Sequence, residues 1–166
     1  MKKDFRVQYP LWQMTFIVLF GIMAFGLTGA STELIHTENE LSYSMELAKI
    51  ESFSVLGATI ITFVLVIIFF IKISKHNKQH PSQKLSIWQI RPIEYLEQDE
   101  GMTHITRRAS QKVYTFFVWA LPFLAVLFMI FELPRLWMIL GILFLALMQY
   151  LLYYLEVRKH LKEDDE

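Results

Sequence analysis

Four uninterrupted apolar runs decide what this chain can fold into. They cover residues 11–29, 53–71, 113–131 and 136–155, and none contains an Asp, Glu, Lys, Arg or His. Crossing the hydrocarbon core of a bilayer takes roughly 20 apolar residues in helical form, so each run is long enough to span. Lipid leaves backbone polar groups no water to bond, which makes a helix the natural form for such a run. The sequence therefore predicts an all-α integral membrane protein with four transmembrane helices arranged as two helical hairpins. The first run follows a basic start and ends in small residues, as a cleaved signal peptide would. At nineteen residues it exceeds the ~7–15 of an ordinary signal core, which favours a retained span.

Charge sets the orientation. Of sixteen Lys and Arg, three precede the first run (Lys2, Lys3, Arg6), and eight lie between the second and third (Lys72, Lys75, Lys78, Lys84, Arg91, Arg107, Arg108, Lys112). Three more follow the fourth run (Arg158, Lys159, Lys162), leaving Lys49 and Arg135 on the other side. Cationic loops resist translocation, so both termini and the middle segment are expected in the cytoplasm (N-in/C-in), with the spans in the cell membrane. Trp12, Tyr153 and Tyr154 fall at the matching interface, where amphipathic rings anchor spans. Acidic and basic residues balance at sixteen each, which argues against nucleic-acid binding, since a basic surplus supplies that affinity. With no cysteine, thiol catalysis and thiolate metal sites are excluded.

Between the spans the expectations are finer. In the extracellular loop, residues 30–52, Thr37 and Glu40 have capping-box spacing, and Leu41, Met45 and Ala48 recur at a helical interval. These features predict a helix from about Glu38 that runs on into the second span. The motif "FELPRLW" leaves about four residues between the third and fourth spans, with Pro134 opening the new helix and Glu132 near Arg135. Pro122, midway along the third span, removes a backbone hydrogen bond and predicts a kink. The cytoplasmic stretch 72–112 begins as a polar linker, "KHNKQHPSQK". It continues as an interfacial segment in which Trp88, Arg91 and Tyr95 sit at headgroup depth. Residues 156–166 form a cytoplasmic tail.

The densest chemistry lies in "DEGMTHITRRAS", residues 99–110. Glu97, Asp99, Glu100 and His104 form the one polar cluster that could serve acid–base or metal chemistry. Gly101 weakens the helix that would bring Glu100 and His104 together. "RRAS" offers Ser110 as a basic-directed phosphoacceptor. A structural reading covers more of the residues: Thr103 or Thr106 caps a third helix beginning near Arg107, and Arg107, Arg108 and Lys112 meet anionic headgroups. The intramembrane polar residues Gln13, Thr15, Thr28, Ser54, Thr59, Thr62, Thr115 and Gln149 suit hydrogen bonding between helices. Gly21 with Ala24, Gly26 with Gly29, and Gly57 with Ala58 offer small surfaces for close approach.

"DEGMTHITRRASQKVYTFF" resembles a recurrent feature of small multi-pass membrane proteins of Gram-positive bacteria. In these an acidic pair, a short polar run and a basic-plus-alanine step lead into a tight helical hairpin. The resemblance covers about residues 99–155; Gly101 and Met102 stand where the usual version carries more charge. It implies class and location, because such proteins mostly have no assigned activity.

The sequence thus leads to the expectation of a non-catalytic accessory, regulatory or immunity-type protein without a cofactor. Its partners would be anionic headgroups and another membrane protein or a second copy of itself. A small oligomeric transporter or channel is the alternative, and a lipid-modifying enzyme at the cytoplasmic face using the 97–104 cluster is the third reading.

Overall fold

The computed structural model describes the backbone of residues 5–29, 31–37, 40–46, 49–79 and 100–163, and the side chains of 8–29, 49–79 and 103–159. Four helices make the fold: α1 (Phe5–Thr28), α2 (Lys49–Gln79), α3 (Glu100–Ile130) and α4 (Arg135–Glu163). Each is long and apolar enough to cross a membrane. At 1.5 Å per residue the 31 residues of α2 and of α3 reach about 46 Å. This exceeds a hydrocarbon core of ~30 Å, so polar ends must continue past it.

The exterior requires an apolar solvent. Among the described residues, thirty large hydrophobic side chains are exposed while seven apolar residues are buried, with Met129 89%, Trp119 77% and Phe53 75% accessible. In water each such ring or chain would forfeit about 1.5–3 kcal/mol. Lipid removes that penalty.

Lateral order follows from helix contacts. Helix α1 packs on α2 and α4, and α3 packs on α4, giving the sequence α2–α1–α4–α3. The two hairpins meet along α1 and α4. Close approach of α1 to α2 depends on glycine: a Cβ at Gly26 would lie 2.6 Å from Ser54 Oγ and 2.9 Å from the Glu51 carbonyl oxygen. One turn on, Gly29 lies against the Glu51 side chain. At the other end of this hairpin Phe69 is surrounded by Tyr9, Trp12 and Phe16, with ring centroids 5.7–5.9 Å away. Tilted and edge-on contacts of this kind add about 0.5–1.5 kcal/mol each. The Lys72 ammonium lies 4.8 Å from the centre of the Trp12 ring. Trp12, expected as an interfacial anchor, therefore also joins α1 to α2.

The α3–α4 turn follows the sequence closely. Residues 131–134 connect the helices; Leu133 N–H donates to the Phe131 carbonyl at 2.9 Å, and the Pro134 carbonyl accepts from Trp137 at 2.9 Å to start α4. Glu132 and Arg135 are both exposed, and no ion pair joins them among the described residues. Helix α3 runs unbroken through Pro122.

Three local expectations are corrected. The segment between α1 and α2 holds an antiparallel β-hairpin, β1 (Ser31–Thr37) paired with β2 (Glu40–Glu46) from Ser31↔Glu46 to Thr37↔Glu40. Residues 40–46 form a strand in place of the expected helix, and α2 starts at Lys49. The sequence carries the reason, because Leu41, Tyr43 and Met45 alternate with Ser42, Ser44 and Glu46 at the two-residue period of a strand. Second, the first five residues of the polar stretch 75–84 are helical, since α2 continues to Gln79. Third, α3 begins at Glu100, about two turns before Arg107. Thr103 and Thr106 lie inside it as ordinary helical residues, not as caps.

The intramembrane hydroxyls also differ from expectation. Thr15, Thr28, Ser54, Thr62 and Thr115 donate to carbonyls three or four residues back in their own helices, at 2.7–2.9 Å. In an apolar medium the nearest acceptor is the preceding turn, which satisfies the hydroxyl locally.

Candidate functional site

Early entry of α3 into the helical state builds a site at its N-terminal end. Residues 105, 109 and 112 recur at four- and three-residue steps, so they share one face of α3. That face meets Tyr153, Glu156 and Val157 of α4. Ile105, Ala109 and Val157 form a buried apolar cluster against which Tyr153 packs. Ala109 is fully buried, a small residue where two helices approach closely.

Glu156 is buried at the edge of this cluster, with 7% of its side chain accessible. Lys112 Nζ donates to its Oε2, and Arg108 Nε stands 3.5 Å from its Oε1. Both cations are about half exposed. Each is therefore open to its surroundings on one side and meets the carboxylate on the other. Arg108 and Lys112 are four residues apart on one helix, which lets them close on a single carboxylate from the facing helix. Arg108 and Lys112, expected at headgroups, also hold α3 to α4.

Thr106 is fully buried, and its hydroxyl donates to the Thr103 carbonyl at 3.1 Å. The Ser110 hydroxyl oxygen is buried inside α3, with no hydrogen-bond partner among the described residues. A modifying enzyme could not reach Ser110 without opening this region, which removes the support for a phosphoacceptor.

The sequence-derived candidates divide as follows. His104 is exposed on α3. Glu100 is the first residue of α3, and its side chain lies outside the described residues, as does that of Arg6. Glu97, Asp99, Lys2, Lys3, Trp88, Arg91 and Tyr95 also lie outside them. Arg107 is exposed, while Tyr153 and Tyr154 are half-buried near the end of the fourth apolar run. Among the described residues no group of three His, Asp or Glu side chains could hold a metal ion.

Two buried polar residues were not singled out from the sequence. Glu156 follows the fourth apolar run directly and reads as the start of a solvated tail. The available signal was the extension of apolar spacing through Ile105, Ala109 and Val157, which marks a helical pair continuing past the membrane boundary. His76 is buried one turn beyond Ile73 on α2, where Ile73 packs against Tyr9, Trp12 and Phe69.

A second feature lies within the apolar spans. A largely apolar groove of about 370 Å³ runs between α1 and α4, walled by Ile17, Ile22 and Phe25 on one side and by Leu140, Phe144 and Leu147 on the other. Gly21 is part of its wall, at ordinary contact distance (3.7 Å for an added Cβ) from Leu140. Comparison with protein-family models, with curated proteins and with solved structures finds no match to this chain.

Proposed function

We propose that this chain is a multi-pass protein of a bacterial cell membrane, with both termini in the cytoplasm. In this reading it acts without catalysis, as an accessory, regulatory or immunity-type partner of another membrane protein. The observation that carries the reading is the open lateral order α2–α1–α4–α3, with its apolar groove along the α1–α4 junction. A helical row of this kind has long apolar flanks available to a neighbouring membrane protein. Two further features favour it over the alternatives. Arg108, in the stretch richest in chemical groups, and Lys112 just after it join two helices through Glu156. Five hydroxyls within the spans donate to carbonyls of their own helices, and the apolar runs carry no ionisable side chain of the kind ion paths use.

The test is site-specific photo-crosslinking in native membranes, with the photoreactive residue at Phe25 or Phe144 in the groove and at Met129 as a lipid-facing control. One recurrent protein partner crosslinked from the groove positions and not from Met129 is the expected result. Absence of any protein adduct at the groove, together with solute flux in liposomes containing this chain alone, would replace the reading with that of a transporter.

A further inference from the structure

The register of the β1–β2 hairpin sorts its residues by chemistry. Directly opposed residues of an antiparallel pair share a face, and successive residues of a strand alternate between faces. The pairs Thr32↔Met45, Leu34↔Tyr43 and His36↔Leu41 therefore lie on one face, which carries no Asp, Glu, Lys or Arg. The remaining pairs, from Ser31↔Glu46 to Thr37↔Glu40, lie on the other. That face carries Glu33, Glu40 and Glu46, and Ile35 is its one large apolar residue.

Short connections fix where the hairpin can be. Helix α1 ends at Thr28 and β1 begins at Ser31, while β2 ends at Glu46 and α2 begins at Lys49. Extended chain advances at most ~3.6 Å per residue, so the paired base Ser31↔Glu46 stays within roughly 11 Å of both helix ends. The first apolar run stops at Gly29 and the second starts at Phe53, so these helix ends mark the edge of the apolar spans. The two strands pack on each other, and among the described elements no helix packs along either of them. A lone two-stranded hairpin is marginally stable in water, and its apolar face gains from being covered.

We propose that the uncharged face of the hairpin lies on the surface of the bilayer at which α1 ends and α2 begins. The inference rests on the reading that these helices cross the membrane. Lipid is the occupant because the base of the hairpin cannot leave the bilayer edge, and this face has no charge to desolvate there. The register also sets the glutamates on the opposite face, clear of anionic headgroups. Tyr43, with an apolar body and a polar tip, suits the interface. Water among the headgroups satisfies the unpaired backbone groups along the strand edges, which the hydrocarbon core could not do.

The experiment is site-directed spin labelling of the full chain in vesicles of phosphatidylcholine and phosphatidylglycerol. The chain has no cysteine, so Thr32→Cys, His36→Cys and Tyr43→Cys each label the uncharged face alone. Glu33→Cys, Ser42→Cys and Ser44→Cys label the other face. Collision with oxygen, which concentrates in lipid, is compared with collision with a nickel chelate, which stays in water. Labels on the uncharged face should read a depth of about 5–10 Å, as for an amphipathic element lying in the interface. Labels on the acidic face should read the aqueous side, so that depth alternates residue by residue. Adding Tyr43→Glu to the Thr32→Cys chain should move its label to the aqueous side, while adding Ser44→Glu should leave its depth unchanged. Preferential nickel collision at every position overturns the proposal, because the hairpin then stands clear of the bilayer. Protection of the uncharged face from both reagents also overturns it and assigns that face to a protein cover, a second copy where the labels broaden one another's spectra. Met129→Cys separates the two levels of the argument. Oxygen access there beside a water-exposed hairpin contradicts only the seat of the hairpin, whereas nickel access there contradicts the membrane span itself.

Discussion

A carboxylate buried between helices costs several kcal/mol unless cations attend it, and at Glu156 Lys112 and Arg108 do so from the facing helix. Removing both cations leaves the carboxylate with neither, which is worse than removing the charge from the carboxylate. Lys112→Ala combined with Arg108→Ala should therefore destabilise the protein by ~1–3 kcal/mol. That is below the ~3–5 of a fully buried pair, because both cations are half exposed and water screens them. Glu156→Gln should cost less than the double variant. Thermal unfolding in one detergent would rank them, and the reverse order would show that the pairing contributes little. Glycine offers a second comparison at this scale. Gly26→Ala places a methyl 2.9 Å from the backbone oxygen of Glu51 and forces α1 away from α2, whereas the corresponding position at Gly57 has nothing within 4 Å. The first substitution should cost ~1–3 kcal/mol. The second should be neutral or stabilising by up to ~1 kcal/mol through helix propensity. Equal effects in denaturant titrations would contradict the α1–α2 packing.

Helices were legible where composition alone decides and were misjudged where tertiary contact decides. The four spans need only length and apolarity, and the "FELPRLW" turn needs only Pro134 after a short connector, so both could be read directly. The start of α3 could not. Thr103, Thr106 and the nearby acids suit a cap, and only contact of Ile105 and Ala109 with Val157 makes the earlier residues worth ordering as helix. The β-hairpin was missed for a different reason: Leu41 and Met45 fit a four-residue step as well as a two-residue one, and the alternating serines favour the latter. Amide hydrogen exchange tests the extended α3 and α4. Backbone amides of residues 105–112 and 156–159 should exchange slowly although they lie beyond the apolar runs, because they belong to packed helices. Exchange at the rate of an unstructured peptide would return these residues to a linker.

At the scale of the molecule, two antiparallel hairpins lie side by side, joined along α1 and α4, with basic helix ends on one side and a β-hairpin and a four-residue turn on the other. The central claim is that the four helices cross a membrane in this alternating sense. The chain has no cysteine, so single substitutions report accessibility without background. The most direct measurement is labelling of Lys78→Cys, Lys162→Cys, Thr37→Cys and Glu132→Cys in intact cells with a membrane-impermeant maleimide, before and after permeabilisation. The account predicts that Thr37→Cys and Glu132→Cys label in intact cells, and that Lys78→Cys and Lys162→Cys label only once the membrane is opened. Labelling of Lys78→Cys from outside, or protection of Glu132→Cys, would contradict it.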